Sequence, residues 1–248
     1  MEQVVLSRSR LLQLLDQFHG ESQDCITVYL TQDSLDRPGR ETRSQSEAIP
    51  EEVREVLEDQ SILQAAERYK SGLVLIRSTR ENGLVVLPPF DIAEDRVSRG
   101  AVDTSPLQRL LERERLIGVV QVNWGSYAVG VFQGNKLVSS KVGTGHIHKR
   151  HKKGGSSQKR FARRTEEQKN EFLGRAANRV EQIFHDYQLE HIFFGGNRLI
   201  LKPLLSESVY LMSHAAQISP RHLHARYNNH ESLLGSLEIA CQSLCFRF

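Results

Sequence analysis

The run Gly154-Gly155-Ser156-Ser157-Gln158 holds the most chemical promise in this 248-residue chain. Its two glycines permit backbone torsions closed to other residues and let a ligand approach the main chain closely. Gln158 has no proton that titrates near neutral pH and so cannot be a general base. Its amide can, however, hold a water or receive developing charge through hydrogen bonds. An activated ester asks for little more than such positioning. The plainer alternative is that Gln158 is a polar residue in the first turn of a helix, and residue chemistry alone favours it.

The surroundings add an anion to the argument. From Arg115 to Thr165 there is no Asp or Glu, while 11 Lys and Arg occur. The rest of the chain holds 22 basic and 30 acidic residues, a net of −8 within an overall +3. Such segregation suits a surface that meets a polyanion, because pairing with phosphates releases counterions while acidic flanks limit indiscriminate binding. Lys149, Arg150, Lys152, Lys153 and Lys159 can follow a phosphate backbone from a glycine-containing loop. Arg160, Arg163 and Arg164 crowd the start of the following helix, where the macrodipole disfavours cations by roughly a few tenths of a kcal/mol each. An external anion, met also by the unpaired amides of the helix end, would offset that cost. A solvated basic loop without a partner is the alternative.

Other chemistries fit less well. His146, His148 and His151 lie in a cationic segment without Cys or carboxylate, a poor setting for a dication. Cys25, Cys241 and Cys245 are too few for a disulfide framework, and Cys241 and Cys245, four apart in an expected helix, lack partners to complete a metal site. Phosphate-cradling and dinucleotide glycine patterns are missing, as is a Gly-x-Ser-x-Gly elbow. A two-metal nuclease would need inward carboxylates on its first strands, where residues 115 to 165 supply none and Asn123 takes a plausible inward position. No metal and no cofactor is expected.

The elements that must position the loop follow from periodicity. Residues 4 to 18 carry a mostly helical pattern ended by Gly20, and Cys25 to Leu30 is a strong strand. Residues 31 to 48 read as a loop, a helix follows Pro50, and Leu73 to Ile76 and Leu84 to Leu87 are strands around an Asn82-Gly83 turn. These form a small α/β domain over 1–100, and 101–115 reads as a linker with a short helix. The second domain, 116–248, opens with strands at 117 to 123, 126 to 132 and 136 to 142, joined by turns at Trp124-Gly125 and Gly134-Asn135. The basic loop, 143–158, leads into a long helix striped by Phe161, Phe172, Leu173, Ala176, Ala177, Val180, Ile183, Phe184 and Tyr187. That helix starts anywhere from Ser157 to Thr165, whose Thr-x-x-Gln pattern resembles a capping box. His191 to Phe194 is a buried strand, 201 to 214 and 231 to 245 read as helices, and a weaker strand falls between 218 and 226. Three antiparallel strands feeding a crossover helix imply a mixed sheet of ribonuclease-H-like topology. With no apolar run of about 18 residues and no basic, apolar leader at the N-terminus, the expected location is the cytoplasm.

On these residues the chain resembles the eukaryotic and archaeal class I peptide-release-factor family. The likeness is closer to the shortened, release-factor-like peptidyl-tRNA-cleaving proteins of ribosome quality control. Cys25 to Leu30 and Gly72 to Ile76 look like part of that family's N-terminal domain. Gly118 to Gly145, the basic loop, Arg160-Phe161-Ala162-Arg163 and Phe193-Phe194-Gly195-Gly196 look like its catalytic middle domain. In classical members an adjacent Gly-Gly-Gln precedes the Arg-Phe-Ala-Arg helix, and the Gln helps water attack the ester between peptide and tRNA. Here Ser156 and Ser157 separate Gly154-Gly155 from Gln158 while Arg160 to Arg163 is unmoved, a form similar to the quality-control branch. The resemblance implies Gly155 and Gln158 as catalytic residues. It implies Gly154, Ser156 and Ser157 as the loop around them, and Lys149, Arg150, Lys152, Lys153, Lys159, Arg160, Arg163 and Arg164 as RNA contacts. The implied partners are the large ribosomal subunit with its rRNA and peptidyl-tRNA, with no DNA and no membrane. Residues 31 to 49 lack the family's Asn-Ile-Lys-Ser codon-reading motif and no GTPase-binding domain is expected after Phe248, which argues against stop-codon termination. Hydrolysis of peptidyl-tRNA on stalled subunits is the leading expectation. Metal-independent cleavage of the tRNA 3′ end and noncatalytic rRNA binding are the others.

Overall fold

The computed structural model describes residues 2–18, 25–36, 51–78, 83–147, 157–225 and 227–248. In chain order the first elements are β1 (Glu2–Leu6), α1 (Arg8–Gln17), β2 (Cys25–Leu30), α2 (Gln32–Asp36), α3 (Glu51–Leu57), α4 (Gln60–Tyr69), β3 (Leu73–Ser78), β4 (Gly83–Leu87), β5 (Arg96–Gly100) and α5 (Ser105–Glu112). Then come β6 (Leu116–Asn123), β7 (Ser126–Gln133), β8 (Lys136–Thr144), α6 (Ser157–Phe184), β9 (His191–Gly196), α7 (Arg198–Glu207), α8 (Val209–Ser213), β10 (Ile218–Leu223), α9 (His230–Ala240) and β11 (Ser243–Arg247). The chain divides into two compact units, residues 1–113 with 241–248, and residues 114–240.

The first unit is built on a sheet ordered β1-β11-β4-β3-β2-β5, in which every neighbouring pair is antiparallel. β2, β3 and β4 read as near-continuous apolar runs because both of their faces are covered. Val28, Leu75 and Phe246 pack with Val53, Val56 and Ile62 of α3 and α4 on one face. Tyr29, Val74 and Val86 pack with Leu11, Leu15, Leu107 and Leu111 of α1 and α5 on the other. The helix expected after Pro50 is broken in two because the Asp59 carboxylate accepts from the Ser61 amide at 2.7 Å and the Ile62 amide at 3.4 Å, capping α4.

Several expectations are corrected here. Val4 and Val5 belong to a strand, since β1 pairs antiparallel with β11 (Val4↔Cys245) and Ser7 then caps α1. The helix expected to Cys245 stops at Ala240, and Ser243–Arg247 crosses into the first sheet between β1 and β4. The second domain therefore ends at Ala240 rather than at 248. Residues 101–113 are no linker, because Leu107 and Leu111 of α5 are core residues of the first unit. Within residues 31 to 48, read as loop, Gln32–Asp36 is a short helix.

The second unit carries a mixed sheet ordered β10-β9-β6-β7-β8. β6, β7 and β8 form an antiparallel meander through two-residue turns at 124–125 and 134–135, while β9 runs parallel to β6 and β10 parallel to β9. α6, α7 and α8 cover one face through Phe172, Leu173, Val180, Phe184, Ile200 and Leu211. On the other face Gln121 donates to the Ser232 carbonyl at 2.8 Å and to Ser236 Oγ at 2.6 Å, both on α9. The span 201 to 214 is two helices, not one, because Ser208 breaks the ladder and its hydroxyl accepts from the Leu211 amide. Among the described residues no helix is long and apolar enough to cross a membrane.

Candidate functional site

Helix α6 runs for 28 residues, and its two halves differ in what they touch. From Phe172 onward the 3.6-residue periodicity buries Phe172, Leu173, Ala176, Ala177, Val180 and Phe184 against the sheet. From Arg160 to Glu171 no residue is buried. Gln158 stands in the first turn of this unburied half, 14 residues before Phe172, which at 1.5 Å per residue is a rise of about 21 Å. Thr165 lies inside the helix, its hydroxyl donating back to the Phe161 carbonyl at 3.0 Å, so the capping-box start does not occur.

The expected site residues fall into three groups. Lys149, Arg150, Lys152, Lys153, Gly154, Gly155 and Ser156 lie outside the described residues, as do His148 and His151. Ser157, Gln158 and Lys159 form the first turn of α6. Arg160, Arg163 and Arg164 are exposed on the next turns. The Arg160 guanidinium lies 5.8 Å from the centroid of the Phe161 ring, itself 44% exposed. Arg163 Nε meets Glu167 Oε1 at 2.9 Å with both side chains solvated, an ion pair that contributes little stability and leaves the guanidinium accessible. An aromatic ring interleaved with guanidinium groups has the chemistry to stack on bases and pair with phosphates.

A collar of residues holds α6 where it leaves the sheet. At the β6–β7 turn the Trp124 ring lies 6.1 Å from Phe172, and the Lys169 ammonium stands 5.2 Å over the indole. Tyr127 of β7 approaches Phe172 at 5.9 Å. The Gly145 amide donates to the Gly125 carbonyl at 2.9 Å, tying the end of β8 to the same turn. A Cβ on Gly145 would come within 2.8 Å of both Arg175 Nη2 and Phe172 Cδ2, so this position needs glycine if the helix is to pack against the end of β8. Ile147, the last described residue before 148–156, packs on the second unit's core. Sequence reading took Trp124 and Gly125 as a turn and Phe172 as core, and it missed their joint role. The available signal was the pairing of the chain's sole tryptophan with a Lys and a Phe three residues apart on one helix.

The Gly195-Gly196 pair closes β9. Gly196 has φ +91° and a Cβ there would lie 2.3 Å from the Val122 carbonyl oxygen, so glycine alone fits. Its carbonyl accepts from His222 Nε2 at 2.9 Å, which leaves Nδ1 as the unprotonated nitrogen, buried and without a partner. Burial holds the His222 imidazole below its ordinary pKa, and Arg198 and His224 add to the depression against the bond to Gly196. Asn123 donates to Asn228 at 3.2 Å, and Asn228 donates to the Ser126 carbonyl at 2.7 Å. The inward position that a nuclease would fill with a carboxylate therefore carries an amide that ties a strand to the approach of α9. Among the described residues no three His, Cys, Asp or Glu side chains come together to hold a metal. Cys245 is on β11 instead of a helix, where burial pushes its thiol up to about 12.

Residues 115–237, nearly the whole of the second unit, match the family model described as acVLRF1, Actinobacteria/chloroflexi VLRF1 release factor. The chain is 23% identical over 211 residues to the peptide chain release factor subunit 1 of Methanopyrus kandleri, covering 75% of this chain and 51% of that protein. It is 24% identical over 190 residues to the eukaryotic peptide chain release factor subunit 1 of Stylonychia lemnae, covering 68% and 42%. The chain thus spans about half the length of the curated relatives it matches. A crystal structure of an archaeal translation termination factor, aRF1, aligns over 95% of this chain and 70% of its own at 14% identity and a TM-score of 0.40. Archaeoglobus fulgidus Pelota aligns over 96% and 61% at 9% identity and a TM-score of 0.31. That match places residues 115–237, and with them the second unit, in the release-factor-like family.

Proposed function

We propose that this protein hydrolyses peptidyl-tRNA on stalled large ribosomal subunits, with Gln158 and the Gly155 backbone at the reacting ester. The observation that carries the reading is the placement of Gln158 in the first turn of a helix that, from Arg160 on, has no buried residue before Phe172, in a segment where acidic residues begin only at Glu166. A half-helix without core contacts suits insertion into a cavity of rRNA, and its exposed Arg160, Arg163 and Arg164, with Lys149, Arg150, Lys152, Lys153 and Lys159, would pair with phosphates. In the reaction a water oxygen attacks the ester carbonyl carbon. The bond to the 3′-terminal ribose oxygen breaks, and the proton of the water passes to that oxygen. Gln158 cannot take the proton, so it would act by orienting the water and hydrogen-bonding the developing charge. The strand order β10-β9-β6-β7-β8 supports reading the second unit as ribonuclease-H-like.

The test is release of labelled peptide from purified stalled subunits. Gln158→Ala should abolish release while changing subunit affinity less than about twofold, since one neutral side chain adds no counterion term. Release at the wild-type rate would overturn the reading. The two-residue displacement of Gln158 from Gly155 motivates a second reading, metal-independent cleavage of the tRNA near its 3′ end. Mass analysis decides between them, because only the second leaves nucleotides on the peptide.

A further inference from the structure

A helix half that touches no core must be aimed by its last point of attachment. For α6 one such attachment is Trp124. Lys169 and Phe172 are three apart, neighbours on one face of the helix, and both meet the indole: the ammonium at 5.2 Å over the ring and the phenyl at 6.1 Å with the planes 55° apart. Two contacts on successive turns fix an axis, whereas a single contact would leave a pivot. The ring is itself fixed, because the turn that carries it joins β6 to β7 through Asn123↔Ser126 and is bonded to β8 through Gly125 and Gly145. Trp124 is 36% exposed, so it fills no interior space that a core residue would fill. Lys169 also meets Glu166 at 3.3 Å, so the ammonium is held from the helix side as well as from the ring.

We infer that Trp124 is a positioning residue: it acts through Lys169 and Phe172 to set the direction in which residues 157 to 171 present Gln158. The inference rests on the release activity proposed above. A change in direction near Phe172 is carried over about 21 Å to Gln158, so a tilt of roughly 3° at the collar becomes a displacement of about 1 Å at the reacting ester.

The experiment uses the full chain with Trp124→Ala, Trp124→Phe, Lys169→Gln and Gln158→Ala, and measures single-turnover release at saturating protein, subunit affinity and amide hydrogen exchange. Trp124→Ala should slow release about tenfold, the scale of a sub-ångström to ångström misplacement, with affinity within about twofold of wild type. Exchange should quicken in 160 to 171 and stay unchanged in β6 and β7. Trp124→Phe, which keeps a ring between Lys169 and Phe172, should restore most of the rate. Should Trp124→Ala fail to fold, Lys169→Gln carries the test, with slower release at saturation and faster exchange confined to the same segment. Wild-type release from the alanine variant, equal losses in the alanine and phenylalanine variants, or faster exchange throughout the second unit would each overturn the positioning role. Release that survives Gln158→Ala overturns the activity reading instead, and the exchange pattern then still decides whether Trp124 orders the helix.

Discussion

The two halves of α6 obey different rules although they share one continuous helix. Beyond Phe172 the residue at each inward position is dictated by the sheet beneath it, and Phe172, Val180 and Phe184 are fully buried. From Arg160 to Glu171 no residue is buried, and the sequence opens Lys-Arg-Phe-Ala-Arg-Arg, a poor start for a helix whose dipole repels cations at that end. The contrast teaches where to look for function: in the stretch whose residues the fold does not need and whose helical physics is locally unfavourable.

The largest expected effect breaks the comparison if it fails. Phe172→Ala should destabilise the second unit by about 3–5 kcal/mol, the cost of truncating a buried phenylalanine, while Phe161→Ala should change stability by less than about 0.5 kcal/mol. Denaturant unfolding of both variants measures the difference, and equal losses would mean that the outer half is packed after all. The reverse ranking is expected for RNA. Removing Arg163 or Arg164 should leave unfolding unchanged yet lower the slope of log affinity for ribosomal subunits against log salt by about one for each phosphate no longer neutralised. A parallel fall in stability would show these side chains to be structural.

What could be read in advance tracks the range of the interactions involved. The β6–β7–β8 meander was legible because two-residue turns fix register locally and each strand alternates between faces. The inner stripe of α6 was legible because its period is set by the helix itself. β1 and β11 were not, since each is a five-residue strand whose partner lies at the opposite end of the chain. β5, Arg-Val-Ser-Arg-Gly, was hidden because an edge strand pairs on one side only and carries little apolar signal. At the candidate site the basic residues and Gln158 could be named from composition and resemblance, but the Trp124 collar depends on a turn, a strand end and a helix meeting in space.

A smaller effect bears on the packed half alone. His222 on β10 is held neutral by burial, so its folded pKa lies below the unfolded value near 6.5 and the unfolded state binds more protons. Its contribution to stability is fully present above the unfolded value and is lost as pH falls from there toward the folded one. Thermal unfolding of the second unit should therefore shift downward between pH 7.5 and about 5.5, more steeply than in His222→Gln. There is no histidine between His151 and His185, so exchange rates in 160 to 171, corrected for their intrinsic pH dependence, should not follow that titration. Matching profiles would mean that the two halves unfold as one.

The smallest effect sharpens the comparison most directly. Arg160 stands within the first four residues of α6, where no acidic residue offsets the dipole. Arg160→Gln removes one unfavourable charge there and should stabilise the outer half by about 0.3–1 kcal/mol at low ionic strength, less in salt. Amide exchange in 160 to 171 should slow in the variant, by about two- to fivefold, with no change in the global unfolding midpoint because the packed half does not feel that end of the dipole. At the same time the variant should bind ribosomal subunits more weakly. Gain of helix order with loss of affinity is the signature of a cation kept for its ligand against the preference of its own helix. If order and affinity rise together, the arginine is not serving an anion and the segregation of charge in this half has another cause.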